Sequence, residues 1–226
     1  MLIGILQTGL SPDQLMAEMG DYPDMFQRLL AEQGLTFKTW RVLDGEFPPD
    51  VNAADGWLIT GSRHGAYEDH PWIPPLEAFI RASYAAHVPM VGICFGHQIM
   101  AQAMGGRVEK YPEGWAVGAT EYDFDGTPVV LNAWHQDQVT AKPDSAEVVG
   151  SNAFCANAAL LYDDRMFSVQ PHPEFRPAFV DGLINTRGKG VVPDDLLAAA
   201  TAKLAQPLGD AAMAARIAAF FKQPRG

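Results

Sequence analysis

Met90-Val91-Gly92-Ile93-Cys94-Phe95-Gly96-His97-Gln98 is the stretch whose reading decides the fold. The apolar run Met90 to Ile93 reads as a buried strand that ends abruptly at Cys94. Gly92 and Gly96 flank the cysteine symmetrically, and Gln98 to Met104 reads as a helix closed by Gly105-Gly106. Strand, sharp turn and helix in the pattern Gly-x-Cys-x-Gly form the thiol version of a nucleophile elbow, in which a strained turn exposes the reactive atom above a sheet. The glycines belong there because side chains would clash where the turn packs so tightly. A helix starting just after the sulfur also directs its N-terminal amides toward negative charge, which favours a thiolate.

The segments before the elbow read as strand and helix in alternation. Leu2 to Leu6 is a continuous apolar run, Ser11-Pro12 reads as a helix cap, and helical pattern extends to Gln33 with a break near Gly20 to Pro23. Strands are expected at Leu35 to Val42 and Gly56 to Thr60, and a helix at Leu76 to Ala86. This alternation predicts a parallel sheet with helices on its faces, with ligands beyond the carboxyl ends of the strands. Gly61 and Cys94 both fall at such ends. The loop between them, with Arg63, His64, Tyr67, Glu68, Asp69, His70 and Trp72, is a candidate pocket rim.

After Gly106 the pattern changes to short antiparallel strands and turns, with Asn132 to Asp137 expected as a loop. Further strands are read near Val148, at Leu160 to Tyr162 and at Met166 to Gln170. Pro171-His172-Pro173-Glu174 follows, and its two prolines exclude a helix interior. Extended backbone would place His172 and Glu174 on one side. Helices are expected at Phe175 to Thr186, from Pro193, and at Asp210 to Phe221.

A cysteine at an elbow needs a base, and the base needs an orienting partner. His172 and Glu174 supply both from another strand end. The amide of Phe95 is a natural oxyanion donor and the amide of Gly61 a second. His135 either contacts a substrate carboxylate at the pocket mouth or is a loop histidine satisfied by Asp137. Cys155 and His97 read as structural residues, and Arg176 as either a carboxylate ligand or a surface residue. Neither cysteine has a partner at zinc-ligand spacing, so no metal or cofactor is expected.

Gly-Ile-Cys-Phe-Gly-His-Gln followed far downstream by Gln-Pro-His-Pro-Glu resembles the class I, triad-type glutamine amidotransferases, from Leu2 to about Phe179. The resemblance implies a flavodoxin-like three-layer α/β fold, with a mostly parallel central sheet and a small antiparallel sheet. It implies a catalytic triad of Cys94, His172 and Glu174, a γ-glutamyl thioester, oxyanion amides at Gly61 and Phe95, and substrate contact by Gln98. Thr60-Gly61-Ser62-Arg63 stands where many members carry Gly-Gly-Pro. No synthetase segment and no phosphate-binding glycine loop is read in the chain. This resembles the stand-alone branch similar to the glutaminase part of GMP synthase, which includes plant γ-glutamyl peptidases. Three functions follow as expectations: release of ammonia from glutamine, with a separate synthase subunit as acceptor; cleavage of glutathione-type γ-glutamyl conjugates; or a non-catalytic, redox-sensing relative.

The bulk properties agree with a small-molecule enzyme. The 226 residues are 48% hydrophobic and 19% charged, with a net charge of −11. That suits one domain spanning residues 1–226 with a helical extension from about 190, and disfavours nucleic acid or an anionic membrane as partner. Two cysteines, no signal peptide and no spanning run point to a cytoplasmic protein.

Overall fold

The computed structural model describes residues 1–225. Eleven strands and seven α-helices follow one another among them. β1 (Leu2–Leu6), α1 (Asp13–Met19), α2 (Tyr22–Leu29), β2 (Thr36–Trp40), β3 (Gly56–Ile59), α3 (Ile73–Ala85), β4 (Met90–Ile93) and α4 (Phe95–Ala103) form the first half. β5 (Arg107–Lys110), β6 (Ala116–Phe124), β7 (Thr127–His135), β8 (Asp137–Ala141), β9 (Glu147–Gly150), β10 (Ala159–Tyr162) and β11 (Met166–Val169) come next. The last helices are α5 (Pro177–Leu183), α6 (Asp194–Ala202) and α7 (Asp210–Lys222).

Seven strands make one sheet in the order β2-β1-β3-β4-β11-β10-β9. The first five run parallel, and β10 and β9 add antiparallel strands at one edge. β5 pairs with β8 and β6 with β7 in two small antiparallel ribbons.

Alternation along the strands divides the core in two. Ile3, Ile5, Leu58, Val91, Ile93, Phe167 and Val169 pack with Phe26 and Leu30 and with Met213, Ile217 and Phe221 of α7. Leu6, Trp57, Ile59, Met90 and Met166 pack with Ile73, Leu76 and Ile80 of α3 and with Ile99 and Met100 of α4. Successive strand side chains point to opposite faces, so α2 and α7 cover one face and α3 and α4 the other. A third cluster lies away from the sheet and joins Leu15 of α1 and Tyr22 of α2 to Phe179 and Leu183 of α5 and Leu197 of α6.

Three local expectations are corrected. Pro12, rather than Ser11, stands at the N-cap of α1, and no side chain caps that helix. Asn132 to His135 is the end of strand β7 rather than a loop, because it pairs along its length with Ala116 to Ala119 of β6. Helix α4 starts at Phe95, not at Gln98, so Cys94 stands directly at its N-cap. No helix among the described residues is long and apolar enough to cross a membrane.

Candidate active site

Parallel register sets the site. Ile59 of β3 and Val169 of β11 flank β4, opposite Gly92 and Ile93 respectively. The chain segments just beyond these three strand ends carry Gly61, Cys94 and His172. Three neighbouring parallel strands therefore deliver their next residues to one place, outside the carboxyl edge of the sheet.

Cys94 has φ 53° and ψ −102°, a backbone that an L-residue adopts only under constraint. Two close approaches impose it. A Cβ on Gly92 would collide with Met100 Sδ and with the carbonyl of Gly96, and a Cβ on Gly96 would collide with the Ile59 carbonyl. Both glycines are thus needed to seat α4 against β3 and β4. The Cys94 amide donates to the Val169 carbonyl at 2.9 Å, and the Cys94 carbonyl accepts from Gln98 N at 3.0 Å. The Phe95 amide opens the first turn of α4, where backbone donors have no acceptor within the helix.

His172 Nδ1 lies 2.7 Å from Glu174 Oε1, with both side chains buried. Their meeting is made by a turn, not by the extended backbone expected from the sequence: residues 173–174 turn, and Phe175 N–H reaches back to the His172 carbonyl. Asn132, from the small β6–β7 ribbon, holds this turn at both ends. Its carbonyl accepts from His172 N–H at 2.8 Å, and its Nδ2 donates to the Phe175 carbonyl at 2.8 Å. The imidazole stacks on Phe175 with centroids 3.8 Å apart and planes 4° apart. Nothing in the sequence pattern around Asn132 pointed to this role.

Burial opposes charge on His172, yet Glu174 and the Cys94 sulfur outweigh it and raise the pKa to about 10. The sulfur lies within reach of the imidazole and also receives Gln170 Nε2 at 3.6 Å. Gly61 packs against both partners: a Cβ there would lie 3.0 Å from His172 Cε1 and 3.8 Å from Cys94 Cβ. The seven residues singled out from the sequence thus fall together: Cys94, Phe95 and Gln98 at the elbow, Gly61 beside it, His172 and Glu174 opposite, and His135 on the same wall.

Cys94, His172, Gln98 and His135 open onto a cavity of about 440 Å³. Gln98 is anchored there by bonds from Nε2 to the Asp137 carbonyl (2.9 Å) and to Gln170 Oε1 (3.2 Å). His135 Nδ1 lies 3.2 Å from the backbone carbonyl of Asp137, not from its carboxylate, which accepts from the Tyr67 hydroxyl instead, and the buried His135 Nε2 has no partner among the described residues. Burial, then neighbouring His172, holds the His135 pKa down at about 3, so this ring is neutral. His97 is fully buried, with Nδ1 2.8 Å from Ser168 Oγ, and does not line the cavity that holds Cys94. Cys155 is buried and its thiol is pushed up to about 12, chiefly by burial.

Other cavity residues were not foreseen: Tyr22, Lys110, Trp115, Trp134 and Arg187. Arg187 comes from a π-helical turn, Ile184–Gly188, and donates to the Leu10 carbonyl at 2.8 Å. These residues sit far apart in the chain and share no motif, so only folding assembles them. Arg176 and Glu174 line a separate cavity of about 690 Å³ that does not include Cys94.

Comparison with known proteins supplies the family. The pattern of "Glutamine amidotransferase class-I" matches residues 27–182. The chain belongs to the class I glutamine amidotransferase family. A glutamine amidotransferase-like protein of Schizosaccharomyces pombe is 31% identical, over 80% of this chain and 82% of its own length. Gamma-glutamyl peptidase 4 of Arabidopsis thaliana is also 31% identical, over 73% of each chain. The crystal structure of a glutamine amidotransferase from Methylobacillus flagellatus superposes with a TM-score of 0.75, over 100% of this chain and 96% of that one, at 24% identity. The fold is the flavodoxin-like one expected, and the chain is an enzyme of this family.

Proposed function

We propose that this protein hydrolyses γ-glutamyl amides through a thioester on Cys94. The observation that carries the reading is an elbow cysteine that shares Gly61 as neighbour with His172, whose Nδ1 meets the buried Glu174 carboxylate at 2.7 Å. Glu174 engages Nδ1 and leaves Nε2 for the sulfur. His172 takes the Cys94 proton, and the sulfur attacks the γ-carbonyl carbon. The amides of Phe95 and Gly61 receive the oxyanion. His172 then passes its proton to the departing amine, and the C–N bond breaks. Water enters, gives a proton to His172, and displaces the sulfur to release glutamate.

Substrate size favours a leaving group larger than ammonia. A cavity of about 440 Å³ with Trp115 and Trp134 in its wall has room beyond a glutamyl group. Arg63, Lys110 and Arg187 outnumber Glu68 and Asp137 in that wall, which suits it to the carboxylates of a γ-glutamyl peptide. Mass spectrometry of the protein quenched during turnover tests this. With γ-glutamyl peptides and with glutamine, a γ-glutamyl adduct on Cys94 is expected, and Cys94→Ala should release no glutamate. Glutamate release by Cys94→Ala at the parent rate would overturn the reading. Glutamine hydrolysis that needs a second protein would favour delivery of ammonia to a separate synthase over peptide cleavage.

A further inference from the structure

His64, Glu68 and His70 lie on the loop that follows β3, at the rim of the Cys94 cavity. His64 Nδ1 is 3.3 Å from Glu68 Oε2, and His70 Nε2 is 2.8 Å from the same oxygen. One ligand atom from each of the three residues falls within 4.8 Å of the others. We propose that these side chains bind one divalent transition-metal ion of the zinc class on the cavity wall.

The donor set argues for the ion's chemistry. Two imidazole nitrogens and one carboxylate oxygen are a known set for zinc sites that leave a fourth position open. Imidazole donors favour zinc and its transition-metal neighbours over magnesium or calcium. Bonds of about 2.0–2.1 Å in tetrahedral geometry set ligand atoms roughly 3.4 Å apart. The His64–Glu68 separation already matches, and the His70–Glu68 pair must open by roughly half an ångström to match.

The loop holds its ligands in place. Glu68 N–H donates to the Gly65 carbonyl at 3.1 Å, His70 N–H to the Glu68 carbonyl at 3.0 Å, and His64 N–H to Ser62 Oγ at 3.2 Å. The His70 ring stacks on Trp72 at 5.6 Å and 11°, and Trp72 is buried against Phe95 at 5.5 Å. Such bracing fixes ring orientation before a metal arrives. The side chains of His64, His70 and Glu68 are 24%, 30% and 44% exposed, so an ion can reach them. His64 and Glu68 also line the cavity with Cys94, which places the ion at its mouth. The expectation of a metal-free chain rested on the cysteines, and the site proposed here uses neither of them.

Calorimetric titration of the full chain with Zn²⁺ tests the site. Cys94→Ala serves as background, because a thiol beside His172 is itself a competing ligand pair. One ion per chain and a zinc-dependent rise in melting temperature are expected. In Cys94→Ala carrying His64→Ala and His70→Ala, affinity should fall by more than about tenfold, the loss seen even when an outer partner is removed. Glu68→Gln on the same background preserves side-chain shape and covers the case in which the histidine variant fails to fold; it should weaken binding likewise. No binding, or one ion per chain still bound with unchanged affinity by a folded variant, would overturn the proposal.

Discussion

Glu174→Gln removes the charge that orients His172 and keeps nearly the same shape. The parent contact is short, at 2.7 Å, and both side chains are shielded from water. A hydrogen bond to a charged group contributes about 1.5–3 kcal/mol, or roughly 10- to 150-fold in rate. Against the opposing effect of burial, Glu174 and then Cys94 raise the His172 pKa to about 10, so Glu174 favours the imidazolium. The expected loss in kcat on a chromogenic γ-glutamyl anilide is therefore about 10- to 150-fold. KM should change little, since Glu174 lines a different cavity from the one that holds Cys94. Iodoacetamide alkylation of Cys94 gives a second readout. With Glu174 gone, its upward pull on the His172 pKa is lost while burial still pulls down, so the imidazolium is less favoured and alkylation at pH 7 should slow. A folded variant with kcat within about threefold of the parent and unchanged alkylation would refute the charge argument, because even the smaller magnitude demands more.

Two further outcomes follow from buried groups and close packing. His97 and His135 are held neutral, each at about pKa 3, burial being the largest cause for both. An unfolded chain takes up these two protons below about pH 6.5. Their contribution to stability is therefore full above that pH and drains as pH falls toward 3, with a slope of about 2.7 kcal/mol per pH unit. Urea unfolding between pH 7 and pH 4 measures it, and His97→Gln should roughly halve the histidine share; an unchanged slope would contradict it. Gly96→Ala puts a methyl against the Ile59 carbonyl, so β3 and α4 must separate. Destabilisation of about 1–3 kcal/mol is expected, with a larger proportional loss of Cys94 alkylation, because the shift displaces Gly61 and the elbow together.

The elbow was legible from Met90 to Gln98 because its causes are local. A strand, two glycines and a helix start are written in nine consecutive residues, and their strain is visible as the positive φ of Cys94. The His172-Pro173-Glu174 segment was legible for the same reason, although the backbone there turns where extension was expected, and the pair meets across that turn. Asn132 was not legible. Its importance comes from a strand of the small ribbon crossing to the His172 turn, and no local pattern records that crossing. Nor were Arg187 and Tyr22, which reach the cavity from opposite parts of the chain.

The sequence by itself determined the candidate nucleophile, base and orienting carboxylate and the layered α/β architecture that presents them, because elbow, proline-braced segment, hydrophobic period and turn residues act over short spans. Tertiary structure alone decided the cavity. The register of β3, β4 and β11 sets Gly61, Cys94 and His172 side by side, and that register depends on which strands pair. The protonation of the site was decided there too. One histidine is raised to about 10 and two are lowered to about 3. Three identical side chains differ so widely because burial opposes charge in each, and only His172 has a carboxylate and a sulfur close enough to reverse it.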